Sequence, residues 1–249
     1  MGGLLDILSI VQLLISTVVS IPVFYWVKMS LSGSEKVIVK KPEHQSTDEE
    51  LCQKICVILP MRNERINVER KLHSIISEIL PYQGTELLVA DSDSRDETGE
   101  LAINFLKESE LEFSRWSVEK FDVPGKNYAL NRLINIVNAD IIVISDADAK
   151  VSPGWMEVIL NRMSEQEVGV VSGIEKEQSI GGGFNRYYRS KSNKLRIWES
   201  SRDSTPVLEG SILAWKTGVL KNFKLNEHNK NGLDLDSYKK INSLDSMHE

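Results

Sequence analysis

The sequence predicts an α/β fold: a parallel sheet flanked by helices and preceded by one transmembrane helix. Three observations carry that prediction. Short apolar runs rich in β-branched residues alternate with stretches of helical periodicity, the pattern of βαβ units. Ile141-Ile142-Val143-Ile144 is apolar without a break, as suits a strand buried on both faces of a parallel sheet. Residues Leu4 to Val27 are mostly Leu, Ile and Val, and about 20 such residues span a bilayer.

The 249 residues carry a formal charge of -6 and a hydrophobic fraction of 41%. Beyond the N-terminal segment that is enough for one sizeable α/β domain. The mild acidity argues against a nucleic-acid partner, which would call for a basic excess. Cys52 and Cys56 lead into an apolar run and read as small buried residues in a reducing compartment. No His or Cys neighbours complete a zinc set, and His44, His73, His228 and His248 are scattered without ligand spacing.

Residues 1–28 are expected to be a membrane anchor. No Lys or Arg precedes the apolar run, and Pro22-Val23-Phe24-Tyr25-Trp26 is too bulky for a cleavage site. Tyr25 and Trp26 suit a membrane interface. Lys28, Lys36, Lys40 and Lys41 follow the run, so the positive-inside rule puts the rest of the chain on the cytoplasmic side. The alternative is a buried amphipathic helix. Residues 29–52 mix Ser, Lys, Glu and Pro and read as a juxtamembrane linker.

Residues 53–225 hold the folded domain. Ile55 to Pro60 is the first strand and Met61-Arg62-Asn63-Glu64 its loop. Asn67 is placed to cap a helix with Leu72, Ile75, Ile76, Ile79 and Leu80 on one stripe, ended by Pro81. Glu86 to Ala90 is the second strand, followed by Asp91 and a helix from Thr98 to Leu106. Ser114 to Val118 is the third strand. Gly125 and Lys126 precede a helix from Tyr128 to Val137. Ile141 opens the next strand, Trp155 to Met163 is a helix, and Val168 to Gly173 a strand. Gly181-Gly182-Gly183 marks a loop. Phe184 to Trp198 sets Arg186, Arg189, Lys191, Lys194 and Arg196 against Tyr187, Tyr188 and Trp198. That stretch is either an ordinary amphipathic helix or a surface for the bilayer or an anionic lipid phosphate. Residues 226–249 form a polar tail, abbreviated or truncated.

Acids follow three of these strands: Glu64, Asp91, and the pair Asp146 and Asp148. At the end of a strand positions i and i+2 point the same way, which would set Asp146 and Asp148 side by side at the carboxyl edge, where open α/β sheets bind ligands. Two carboxylates about 4 Å apart repel by roughly 4 kcal/mol at an effective dielectric near 20. A hard divalent cation would offset that, although Asp-Ala-Asp before Ser152-Pro153-Gly154 also reads as a polar turn. Lys126 before a helix would meet a phosphate with its own charge and with the helix N-terminus. Phosphate-loop, dinucleotide, nucleophile-elbow and zincin patterns do not occur. Asp93 and Asp96 are assigned to turn and cap chemistry, and Trp155 and Trp215 to the core.

In order along the chain, Val57-Ile58-Leu59-Pro60-Met61-Arg62-Asn63-Glu64, Asp91-Ser92-Asp93-Ser94-Arg95-Asp96-Glu97-Thr98, Gly125-Lys126-Asn127-Tyr128-Ala129-Leu130-Asn131, Asp146-Ala147-Asp148 and Glu209-Gly210 with Trp215 to Leu220 resemble the motifs of family 2 glycosyltransferases. The likeness runs from about Cys56 to Leu220.

What the resemblance implies is a GT-A type, mostly parallel nucleotide-binding sheet and sugar transfer from a nucleotide-sugar donor, UDP-linked, with inversion. Pro60, Asn63 and Glu64 would line the nucleoside pocket, with Glu64 near the ribose and Asp91 accepting from the base. Lys126 would lie near the nucleotide, and Asp146 would contact ribose or diphosphate. Asp148, with Asp146, would hold Mg2+ or Mn2+. Glu209 and Gly210 would lie on the acceptor side, and a lipid carrier or surface glycan is the acceptor that the anchor and the basic segment suggest. The catalytic base would come from Asp234 or Asp236, where the flanking sequence departs from the family. The processive members' Gln/Arg-x-x-Arg-Trp motif and C-terminal membrane helices are absent from this sequence. Two rivals stand beside this reading: a sugar nucleotidyltransferase, which the glycine-free loop 61–64 disfavours, and a truncated chain that binds the donor without turnover.

Overall fold

The structure, a computed structural model, describes residues 2–31, 53–109, 113, 115–174, 183–200, 208 and 211–220. The linker, Gly181, Gly182, Glu209, Gly210, Asp234, Asp236 and the polar tail lie outside the described residues. The chain divides into two compact units, Met1–Lys41 with Lys176–Val207, and Pro42–Glu175 with Leu208–Glu249.

The second unit is built on one sheet. Its elements in chain order are β1 (Ile55–Met61), α2 (Val68–Ile79), β2 (Glu86–Ser92), α3 (Thr98–Glu108), β3 (Trp116–Phe121), α4 (Lys126–Ile136), β4 (Ile141–Ser145), α5 (Trp155–Met163), β5 (Val170–Ser172), β6 (Ile212–Lys216) and α7 (Thr217–Leu220). The strand order is β3-β2-β1-β4-β6-β5. β1 pairs in parallel with both β2 and β4, matching Ile58 to Leu88 on one side and to Ile144 on the other.

β1 and β4 are buried along their whole length, and alternation explains why both must be apolar throughout. Ile55, Val57, Leu59 and Met61 face a core shared with Leu72 and Ile75 of α2, Leu106 of α3 and Met156 of α5. Cys56 and Ile58 face the opposite core, with Leu130, Leu133 and Ile134 of α4. Each such side chain contributes about 1.5–3 kcal/mol on full burial.

Several local expectations are corrected. Asn67 stands at the N-cap of α2 without a side-chain cap bond; its amide instead donates to Glu64 at 2.7 Å and accepts from Arg70 at 2.9 Å. β3 runs Trp116–Phe121 rather than from Ser114, and its partial burial is that of an edge strand, where a periodicity signal is weak. α4 starts at Lys126, two residues early, because Gly125 takes φ +153° just before it. The sheet is mostly parallel, as the family resemblance implies, with β6 as the departure. β6, which the apolar pattern did not announce as a strand, inserts between β4 and β5 and is antiparallel to both.

The first unit contains α1 (Gly2–Leu31), which continues through Pro22, and α6 (Gly183–Ser200). The ring of Tyr25 meets that of Trp198 edge-on, centroids 5.8 Å apart. Among the described residues no helix is long and apolar enough to cross a membrane, so the expected transmembrane span over 1–28 is not shown. The structure does show that the side chains from Ser9 to Tyr25 are all exposed, Leu13 and Val18 among them. They present no face to a buried core.

Candidate active site

A cleft of about 230 Å³ opens at the carboxyl ends of β1 and β4, the point where strand order reverses and open α/β sheets take their ligands. Pro60, Met61, Arg62 and Glu64 line it from β1 and the loop beyond. Ser92 lines it from the end of β2, Lys126 from the start of α4, and Asp146, Ala147 and Asp148 from the segment after β4.

Asp146 and Asp148 both lie past the end of β4, so strand alternation does not make them neighbours. A turn does, closed by Ala149 N–H donating to Asp146 O at 3.2 Å. The turn and the acid pair are therefore one feature. The Asp146 backbone N–H also donates to Ser211 O at 3.1 Å, just ahead of β6. The expected charge compensation comes first from the protein itself. Lys126 Nζ pairs with Asp146 Oδ1, both side chains about a third exposed, and a pair so wetted contributes only about 0–1 kcal/mol. Lys126 is thus weakly held and available to a phosphate.

Glu64 is fixed from two sides: its carboxylate accepts from Asn67 Nδ2 and its backbone N–H donates to Thr98 Oγ1 at 2.8 Å. Asn63 departs from expectation. At φ +55° it turns to the neighbouring loop, its N–H donating to Ser94 Oγ at 3.0 Å and its Oδ1 accepting from Arg95 N–H at 2.9 Å. It does not line the cleft. Nor does Asp91, which is 5% exposed and accepts from Ser94 N–H at 3.2 Å. The next residue, Ser92, lines the cleft instead, and its buried hydroxyl has no hydrogen-bond partner among the described residues. Asp96 is the turn and cap acid that its spacing predicts, accepting from the N–H of Thr98 at 3.2 Å and of Arg65 at 3.1 Å. Desolvation pushes its carboxyl up, but the Thr98 hydroxyl and those N–H groups together hold it below its ordinary value. Trp155 and Trp215 are core residues.

Lys71 is a further residue at this site, one that no motif in the sequence marks. It is 1% exposed on α2, and its Nζ donates to Ser145 Oγ at 2.8 Å and Ala149 O at 3.0 Å. Burial lowers its ammonium to about 8, with Asp146 and Asp148 pulling the other way and Arg70 reinforcing the drop. The signal was present in the sequence, since Val68, Lys71, Leu72, Ile75 and Ile79 form one helical stripe. Ser92 gave no such signal.

Among the described residues no cluster of three His, Cys, Asp or Glu side chains is placed to hold a metal ion. Two carboxylates on one turn nonetheless suit Mg2+ or Mn2+, which takes one or two protein carboxylates and completes its shell with waters and substrate phosphates. Asp146 and Asp148 would hold it, Asp146 exchanging its lysine partner for the cation.

Residues 56–223 match the family model "Glycosyl transferase family 2". The chain belongs to that family. It is 34% identical over 112 residues to the dolichol-phosphate mannosyltransferase of Pyrococcus furiosus, covering 43% of this chain and 30% of the relative. To the poly-beta-1,6-N-acetyl-D-glucosamine synthase of Staphylococcus epidermidis it is 25% identical over 217 residues, covering 80% and 50%. In structure it resembles the mannosyltransferase PcManGT of Pyrobaculum calidifontis, solved with GDP-Man and Mn2+. That match has a TM-score of 0.64 and 26% identity, over 76% of this chain and 52% of the other. The chain spans half or less of the length of these curated relatives. Its mostly parallel, helix-flanked sheet is the GT-A arrangement that the family 2 resemblance implied.

Proposed function

We propose that the protein transfers a sugar from a nucleotide-sugar donor to a lipid-carrier or surface-glycan acceptor, with inversion and with a divalent cation. The observation that carries this is the convergence of Glu64, Ser92, Lys126, Asp146 and Asp148 on one cleft at the β1–β4 switch point in a family 2 chain. Glu64 and Pro60 take the ribose side, and Ser92 offers its hydroxyl to the nucleoside. The Lys126 ammonium, on the first turn of α4, meets the diphosphate along with the helix N-terminus. Asp146 and Asp148 would hold the divalent cation, which would supply charge neutralisation at the leaving diphosphate. The acceptor hydroxyl loses its proton to a carboxylate, Asp234 or Asp236, and attacks the anomeric carbon as the nucleoside diphosphate departs. Glu209 and Gly210 are assigned to the acceptor by the family resemblance alone. A UDP-linked donor follows from the family resemblance.

The N-terminal helix is proposed as a single-pass anchor with the sheet on the cytoplasmic side. Its described side chains are exposed and largely apolar, and the names of the mannosyltransferase and glucosamine-polymer relatives point to lipid and glycan acceptors.

Calorimetry with UDP, with and without Mn2+, tests the proposal in the wild type and in Asp148→Ala. Mn2+ should tighten UDP binding in the wild type alone; equal metal-independent binding in both proteins overturns the cation assignment. Turnover should release nucleoside diphosphate, whereas release of pyrophosphate would favour a nucleotidyltransferase.

A further inference from the structure

Lys71 occupies an inward position of α2 where Val68, Leu72, Ile75 and Ile79 are all apolar and buried. Desolvating an ammonium is costly unless it is fully partnered, and a leucine would fill such a stripe without that cost. What the lysine reaches accounts for its place. Its two acceptors, Ser145 Oγ and Ala149 O, are the residues immediately before and after Asp146-Ala147-Asp148. Ser145 Oγ in turn donates to Ser211 O at 3.1 Å, the same carbonyl that accepts the Asp146 N–H. One buried ammonium thus joins α2 to both ends of the acid-bearing turn and, through Ser145, to the chain entering β6.

We propose that Lys71 is a positioning residue that clamps this turn, holding Asp146 and Asp148 at the sheet edge before any cation arrives. The cation-binding part of the inference rests on the reading of those acids given above. The clamping part does not. Charge and clamping predict opposite signs. A cation lying near two carboxylates weakens the binding of another cation, so on charge alone Lys71→Met should bind Mn2+ more tightly. If the lysine acts by holding the turn, the same change should weaken it, as loss of groups orienting metal ligands typically costs about 10–100-fold in affinity.

The test is made on the full chain with two measurements. Hydrogen exchange of the amides of residues 146–149, without metal, should accelerate about tenfold or more in Lys71→Met, the equivalent of one lost charge-assisted hydrogen bond, with β2 unchanged. Calorimetry with Mn2+ and UDP should show about tenfold weaker metal binding. Unchanged exchange across the turn, or tighter Mn2+ binding, overturns the proposal. If the wild type binds no Mn2+, the reading of the acid pair fails and the exchange measurement alone decides the clamp. Should Lys71→Met not fold, Ser145→Ala removes one of the two acceptors: faster exchange over 146–149 supports the clamp and unchanged exchange overturns it.

Discussion

A Cβ on Gly99 would stand 2.3 Å from Oδ2 of Asp91 and 3.0 Å from Cε of Lys120. The first turn of α3 therefore has room for the Asp91 carboxylate only because position 99 has no side chain. Gly99→Ala ought to gain helix propensity, roughly 0.5–1 kcal/mol in an unencumbered helix. Here the buried carboxylate must move first, an overpacking cost of about 1–3 kcal/mol. The variant is expected to be less stable in urea, and to bind UDP less well because Ser92 follows Asp91 directly. Unchanged midpoint and affinity would show that the Asp91 side chain gives way freely.

Lys71 should give stability an unusual pH dependence. Burial lowers its folded-state value to about 8, against about 10.4 in an unfolded chain. Between those values the unfolded chain holds a proton that the folded chain lacks, so this group makes stability rise with pH. Cys56 acts the other way: burial first, and then Glu86, push its thiol up to about 12, so its contribution falls as the unfolded thiol ionises. Subtraction isolates the lysine. The stability of wild type minus that of Lys71→Met, from urea melts at about pH 7 and about pH 10, should shift in favour of the wild type at the higher pH. A difference independent of pH would mean that Lys71 is charged across the whole range.

The strands that could be read in the sequence are those whose physics is local. β1 and β4 are buried on both faces, so unbroken apolarity marks them, and the helical pattern from Trp155 to Met163 coincides with α5. β6 could not be read in this way, because its place between β4 and β5 is fixed by pairing with residues about 70 positions earlier, Ile142 with Trp215 for one. Site residues divide along the same line. Glu64, Lys126, Asp146 and Asp148 follow strands or precede a helix, and topology alone brings them to one cleft. Asn63 and Asp91 satisfy the motif, yet the Asn63 side chain serves the contact between the two loops and that of Asp91 accepts within its own turn, from Ser94 N–H. Ser92 lies one residue along the strand from Asp91, and motif spacing alone did not distinguish which of the pair faces the cleft.

Asn63 gives a last test of whether the loop clamp or a ligand contact matters at that position. Its φ of +55° suits asparagine better than other residues with a side chain, and its Oδ1 holds Arg95 N–H. Asn63→Ala loses both advantages, about 1–2 kcal/mol for the left-handed backbone and about 1 kcal/mol for the hydrogen bond. Asn63→Gly loses only the hydrogen bond but adds chain entropy to the unfolded state. Thermal melts should therefore rank wild type above Asn63→Gly, and Asn63→Ala lowest. UDP affinity, measured well below the melting range, should hardly change in Asn63→Gly, because the side chain points to the 94–95 loop rather than into the cleft. A large loss of UDP affinity in Asn63→Gly, with its melting temperature preserved, would return Asn63 to the nucleoside pocket.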